Sequence, residues 1–335
     1  MRRLPASPPA ASRRHLLAGM GAGAAVLAGL PRHGRGQTTD RLHFLVPAGV
    51  GGGWDQTARA VAEAMTRAGL VQSATLEHVS GGGGARAIGY LVATGQNQAQ
   101  TLMVSSTPIV LRAVRGATPS YRELLPVASV IGDYAVIAVR ADSPYHDFAS
   151  LAAAVRRSPD DVWIAGGSVR GGMDHLLAAR MFNAAAGVDP KAVRYLPYDA
   201  GGAAMEALLT LPQVDALSTG LGEVLERPER SALRVLAVTA PERLPEVPGA
   251  PTLRELGHDI TFVNWRGFFA APQLPASTAD RYADLLGRLV ETPEWDAVRS
   301  RHGWQSLYRA RADFQTFLQA EEATAQAYLA ALDLA

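Results

Sequence analysis

Five turns, each set where a short apolar run gives way to a helical period, constrain this chain more than any other feature. They read Val46-Pro47-Ala48-Gly49-Val50-Gly51-Gly52-Gly53-Trp54-Asp55, Val79-Ser80-Gly81-Gly82-Gly83-Gly84-Ala85-Arg86, Ser105-Ser106-Thr107, Gly166-Gly167-Ser168-Val169-Arg170-Gly171-Gly172 and Tyr198-Asp199-Ala200-Gly201-Gly202. Glycine lets a ligand approach the backbone, and the free N–H groups at a following helix start favour an anion. In the first turn a carboxylate or a phosphate would satisfy that geometry, and so would a tight turn with no ligand. Asp55 reads as the N-cap of a helix over 56–68, since a short carboxylate there accepts orphan amide protons. Trp54 either covers a ligand or packs between two halves of the chain. One such turn carries little weight. Turns at several strand ends, where ligands collect in open α/β sheets, point to a cleft closed from two sides.

The rest of the pattern is strand–helix alternation. Apolar runs predict strands over 42–48, 75–79, 101–106, 135–140, 162–167, 193–198, 214–219, 234–240 and 267–272. Ala58, Val61, Ala62 and Met65 share one helical face, as do Tyr282, Leu285, Leu286, Leu289 and Val290. Ser277 with Asp280 three residues on reads as the start of that second helix. Phe314, Phe317, Leu318, Ala325 and Leu329 predict a last long helix, and further helices are expected over 174–186 and 203–209. Continuous apolar strands between helices predict an α/β fold with mostly parallel sheets covered on both faces. The strands are too many for one small sheet, and the middle third restarts the pattern. Two lobes follow, one over 40–137 and 238–335 and the other over 138–237, joined by crossings near 134–140 and 234–240.

Several chemistries are excluded. The chain has no cysteine, so disulfides, thiolate metal sites and cysteine nucleophiles are absent. Net charge is +1 and basic residues are dispersed, which recruits neither nucleic acid nor a membrane surface. Lys191 lies outside any Gly-Lys-Ser/Thr setting, and Trp54 stands where a dinucleotide fingerprint needs glycine. A hydrolase elbow would need glycine where Arg170 follows Ser168-Val169. Ser168 with His175 is the one imaginable nucleophile pair, the basis of an alternative reading as a secreted serine hydrolase. No histidine or carboxylate spacing fits a metal, and no cofactor is expected.

The N-terminus reads as an address. Ser12-Arg13-Arg14-His15-Leu16-Leu17 precedes an apolar stretch of about 13 residues and a polar exit over 31–37. That is too short to span a membrane, which needs about 20 residues. Residues 1–36 are expected to be a secretory signal, of twin-arginine type by its paired arginines. The protein would then act in the periplasm, with no membrane insertion of the mature chain.

In this order, the turns resemble those of the periplasmic receptors of tripartite tricarboxylate transporters, the Bug-type extracytoplasmic solute receptors. Val46-Pro47 through Gly52-Gly53-Trp54-Asp55 matches the family's first turn, with tryptophan as in the tricarboxylate branch. His78-Val79-Ser80-Gly81-Gly82-Gly83-Gly84 stands in place of its N-x-P-G-A-G-G loop, departing at histidine and serine. Gly167-Ser168, His175-Leu176 and Tyr198-Asp199-Ala200-Gly201-Gly202 approximate the second-lobe motifs. Val214-Asp215-Ala216, the run over 247–257 and Gly267-Phe268-Phe269-Ala270-Ala271-Pro272 are similar too, so the likeness spans about 42–330.

The resemblance implies a two-lobed fold of the type II periplasmic-binding kind and a monomer. It also implies a small di- or tricarboxylate ligand and delivery to the permease subunits of a tripartite membrane transporter. A sensor that hands its ligand to a membrane kinase would look the same in sequence. The expected binding residues are Ala48, Gly49, Gly51, Gly52, Gly53, Trp54 and Asp55 in the first turn, and Gly82, Gly83 and Arg86 in the second. Ser105 and Ser106 follow, then Ser168, Arg170 and Gly171, then Tyr198, Asp199 and Gly201. Arg86 and Arg170 are the expected cations for a second carboxylate.

Overall fold

In the computed structural model the described residues run from 39 to 331, so the expected signal over 1–36 lies outside them. The first third contains β1 (Thr39–Val46), α1 (Gly53–Arg67), β2 (Val71–His78), α2 (Ala85–Thr94), β3 (Thr101–Ser106) and α3 (Thr107–Val114). A long strand, β4 (Leu125–Arg140), leads to α4 (Phe148–Arg157), β5 (Trp163–Gly166), α5 (Met173–Ala186), β6 (Arg194–Pro197), α6 (Gly201–Thr210), β7 (Ala216–Gly220), α7 (Leu221–Leu225) and β8 (Leu233–Val238). The chain returns through 239–262 to β9 (Val263–Ala270), α8 (Ala276–Val290), α9 (Pro293–Arg301), β10 (Gln305–Arg309) and α10 (Arg311–Ala331).

β4 belongs to two sets of strands. Its first half pairs with β9, which pairs with β3 and through it with β1 and β2, while β10 pairs with β4 as well. Its second half, from Ala135, pairs with β7 and β8, and β7 continues through β5 to β6. Gly132 lies in the first half, where β9 and β10 flank it, and a Cβ there would stand 2.3 Å from Val263 Cγ2 and 2.5 Å from Leu307 Cδ1. Any other residue there would force apart the strands that cross it.

Sequence reasoning expected mostly parallel sheets, and the sheet is mixed. β2–β1–β3 and β6–β5–β7 are parallel, whereas every pairing of β4, and that of β3 with β9, is antiparallel. A continuous apolar run reports burial on both faces and says nothing of strand direction. Each parallel strand is followed by a helix, and five of them carry the five turns at their C-terminal ends.

The cores follow from the periodicity. Ala58, Val61, Ala62 and Met65 of α1 are buried beside Phe44, Phe268, Trp295 and Trp304, with the Phe44 and Phe268 rings 5.5 Å apart. Each such aromatic or aliphatic side chain contributes roughly 1.5–3 kcal/mol by leaving water. Phe314, Leu318, Ala325 and Leu329 hold α10 in a second core, and Tyr328 Oη donates to the Leu176 carbonyl of α5 at 3.0 Å.

Two helix starts differ from expectation. Gly52, not Asp55, is the N-cap of α1, and it makes no side-chain cap. Asp55 reaches back from the first turn to accept the Gly51 N–H at 2.8 Å, which ties the residue before the cap to the helix. α8 starts at Ala276 behind Pro275, so Ser277 is not its cap, and Asp280 instead pairs with Arg311 at 2.9 Å.

Candidate functional site

The C-terminal ends of β1, β2, β3, β5 and β6 open on one cleft of about 310 Å³. The five predicted turns supply much of its wall: Ala48, Gly52, Gly53 and Trp54 from the first; Gly82 and Gly83 from the second; Ser106; Ser168, Arg170 and Gly171; Tyr198 and Asp199. The second turn holds its shape through a run of left-handed residues from Gly81 to Gly84, with φ of 134, 62, 61 and 96°. Such a run is open only to glycine.

The other expected residues do not line this cleft. Gly49 lies at its rim, its Cβ position 2.6 Å from Asp199 Oδ2. Gly51 abuts Arg227, and Ser105 is buried in β3. Gly201 gives its N–H to Glu223 Oε1 at 3.2 Å. Asp55 is 1% exposed and bonded to Arg59 at 2.9 Å and His78 at 2.7 Å. Burial pushes its carboxyl up, but Arg59, the Gly51 amide and His78 outweigh that and hold it below the ordinary value. Arg86 folds back on its own turn, donating to the Ser80 carbonyl at 3.0 Å with its stem against Gly81. A long side chain beside four glycines meets its own backbone before it meets the cleft.

Residues that sequence reasoning missed give the cleft its charge. Arg112 and Arg115 of the α3 end face it together with Arg170. Arg112 donates to the Gly82 carbonyl at 2.8 Å, Arg115 to the Gly171 carbonyl at 2.7 Å and Arg170 to the Tyr195 carbonyl at 2.8 Å. The Arg115 bond and one from Ser80 Oγ to the Asp199 carboxylate tie the turns of the first strand set to those of the second. Trp54 Nε1 donates to Ser106 Oγ at 2.8 Å, which keeps the indole within the wall.

The floor is buried and ionic. Arg266 of β9, 5% exposed, pairs with Asp133 of β4 at 3.2 Å and lies against the start of α1. A Cβ on Gly53 would stand 2.1 Å from its Nη1. Its Nε has no partner, and neither has the nearby Asn264 Oδ1. Burial lifts the Asp133 carboxyl to about 6 against the pull of Arg266 and the Gly222 amide. Glu223 accepts from Thr219 Oγ1 and from the Gly201 and Gly220 amides, and it lines the cleft with Asp174. Arg266, the one charged residue in the mostly apolar run Val263-Asn264-Trp265-Arg266-Gly267-Phe268-Phe269, was the available signal for the floor.

No nucleophile pair forms. His175 Nδ1 accepts the Gly171 N–H at 2.9 Å, its Nε2 has no partner, and its ring stacks on Tyr195 at 4.8 Å. Burial, with Arg170 and Arg115, lowers it to about 4, so it stays neutral at working pH. Ser168 Oγ instead faces Tyr195 Oη at 3.1 Å and accepts the Asp174 N–H at 3.1 Å. Among the described residues no cluster of histidine and carboxylates could hold a metal, and no helix is long and apolar enough to cross a membrane.

The cleft can therefore take a small anion on helix-start amides with arginines at hand. The family model described as the tripartite tricarboxylate transporter family receptor matches residues 57–334. Protein BugT of Bordetella pertussis is 29% identical over 258 residues, which is 74% of each chain. The solved structure of MatC from Rhodopseudomonas palustris with bound malate superposes with a TM-score of 0.74 at 22% identity, covering 86% of this chain and 99% of that one. An R. palustris protein with adipate gives 0.78 at 20% identity, covering 89% and 99%. These structural likenesses show the fold.

Proposed function

The chain belongs to the tripartite tricarboxylate transporter receptor family, whose members are solute-binding proteins rather than enzymes, and from that premise we propose that it traps a di- or tricarboxylate in this cleft. The lobes are 40–137 with 238–335 and 138–237, hinged on β4 and on the return segment, and the loaded receptor delivers its ligand to the membrane subunits of a tripartite transporter. One observation carries the reading: five strand-end turns and four arginines, Arg112, Arg115, Arg170 and Arg266, surround a single cleft of small-molecule size. The anchor carboxylate lies on amides of the β1 and β2 turns, where the start of α1 favours negative charge. Arg112, Arg115 and Arg170 take the remaining carboxylates. Malate and adipate, bound by the two structural neighbours, set the size of the first acids to try.

The test is a thermal-shift screen over C4 to C6 di- and tricarboxylates, followed by small-angle scattering. A ligand at about 100 times its dissociation constant stabilises by roughly 2.7 kcal/mol, and hinge closure reduces the radius of gyration. A screen in which no acid raises the melting temperature overturns the reading. Ser168→Ala is expected to weaken binding about fivefold, on the order of 1 kcal/mol, because it removes one neutral hydroxyl and leaves the turn in place. Calorimetric titration checks this. Binding abolished in the folded variant would make Ser168 a principal ligand contact instead.

A further inference from the structure

Asp174 has a position that an anion receptor does not need. It lies in the first turn of α5, deep in the cleft wall, with its N–H on Ser168 Oγ at 3.1 Å and its carbonyl accepting from Ser218 Oγ at 2.9 Å. The groups that face it come from every packed element. Glu223 approaches from α7, Arg266 from β9 and Tyr195 from β6, Arg170 and His175 lie on its own loop and helix, and Asp133 of β4 acts on Arg266 and Glu223 in turn.

Few of these can compensate a charge on Asp174. Arg266 is already paired with Asp133 at 3.2 Å, and Arg170 is turned to the Tyr195 carbonyl at 2.8 Å. His175 is neutral, and burial together with the Asp174 charge pushes the Tyr195 phenol far above its ordinary value. Asp133, Asp174 and Glu223 therefore share the floor with Arg266, and His302 acts on Asp133 as well. A dicarboxylate entering above them adds like charge at short range in a site that excludes water, where Coulomb repulsion is weakly screened.

We infer that ligand and Asp174 share one proton in the closed cleft. A carboxylate binds, the Asp174 carboxylate takes a proton from solvent, and the resulting carboxyl donates a hydrogen bond to the bound anion. The inference rests on the receptor reading and adds a proton to its stoichiometry. The free protein is poised for it: burial first, then Glu223, raise the Asp174 carboxyl to about 7 against Arg266, Ser168 and the Gly167 amide.

The sign follows from linkage. Below about pH 7 the free protein already holds the proton, so affinity is flat. Above it the proton must be taken up on binding, and affinity falls by about tenfold per pH unit. Above about pH 7 malate and adipate are doubly ionised and contribute no slope of their own.

Calorimetry of the wild-type chain with malate and with adipate, in buffers of different ionisation enthalpy, counts the protons directly. Uptake of about one proton at pH 8.5 and close to none at pH 6 is expected, with Asp174→Asn showing neither uptake nor pH slope. A wild-type affinity constant to within twofold from pH 6 to 8.5, or undiminished uptake in Asp174→Asn, overturns the inference and leaves the receptor reading standing. If neither these two acids nor citrate binds at any pH in the range, both fall together. The proton count needs no variant, so poor folding of Asp174→Asn does not weaken the test.

Discussion

Gly52→Val is expected to weaken ligand binding at least about 100-fold, on the order of 2.7 kcal/mol, while leaving the protein folded. Gly52 is the N-cap of α1 with φ −84° and ψ 164°, extended backbone that valine adopts readily. The left-handed conformation in this turn falls on Gly51, with φ 82°. Folding is spared for a second reason: the N-cap makes no side-chain bond that could be lost. The cost is steric and arises across the cleft. A Cβ at Gly52 would lie 2.9 Å from the Ala200 Cβ, and the two methyl groups of valine extend further. The turns after β1 and β6 could no longer meet, so the closed cleft would be held open. Calorimetric titration with the best acid from the screen, with circular dichroism as a check on folding, reads the effect. Gly52→Ala should fall between wild type and valine. Near-native affinity in a folded Gly52→Val protein would mean that the approach of Gly52 to Ala200 plays no part in binding.

Arg266→Ala should be the most destabilising single change in the site. It strands Asp133, which is 1% exposed, beside Glu223 without its paired guanidinium, and removing one partner of a buried pair costs about 3–5 kcal/mol. The melting temperature at pH 8 should fall by on the order of 10 °C. The pH dependence identifies the cause. The Asp133 carboxyl, raised by burial to about 6, rises further once Arg266 is gone. A raised carboxyl costs stability above the unfolded value and ceases to do so as it protonates, so the deficit shrinks as the pH is lowered from 8 towards 5. Adding Asp133→Asn should restore much of the loss at pH 8. A deficit below about 1 kcal/mol at pH 8, far under the range for a broken buried pair, would show Asp133 to be compensated by another group.

These two residues show what the sequence made legible. The glycine turn was visible because strand, glycines and helix follow one another locally, and all five such turns reached the cleft. Arg266 was embedded in an apolar strand run, and its partner lies 133 residues away. Asp174 and Glu223 sit at helix starts, where a carboxylate ordinarily reads as a favourable charge at the dipole. Their significance comes from each other and from burial, neither of which has a local signature. Arg86 was the reverse case, a cation next to a binding turn in sequence that the backbone of the same turn absorbs. Among strands, the nine predicted runs are all present, but β4 begins at Leu125 rather than Ala135, and Ala135 is where it passes from one strand set to the other. β10 was missed: Gln305–Arg309 is short and half exposed, with no continuous apolar run.

The placement of β9 bears on how the chain is made. It lies between β3 and β4, paired with both, yet it is separated from β4 by the whole of the second strand set. While residues up to 262 are being synthesised, β3 and β4 each present an open edge, a template for wrong pairing. The ribosome must deliver β9 before either edge is covered, so the first strand set is completed after the second although its synthesis starts earlier. Long-range pairing of this kind folds slowly and leaves apolar edges in view meanwhile. The interval from the emergence of β3 to the insertion of β9 is therefore when the edges of this strand set lie open to wrong pairing.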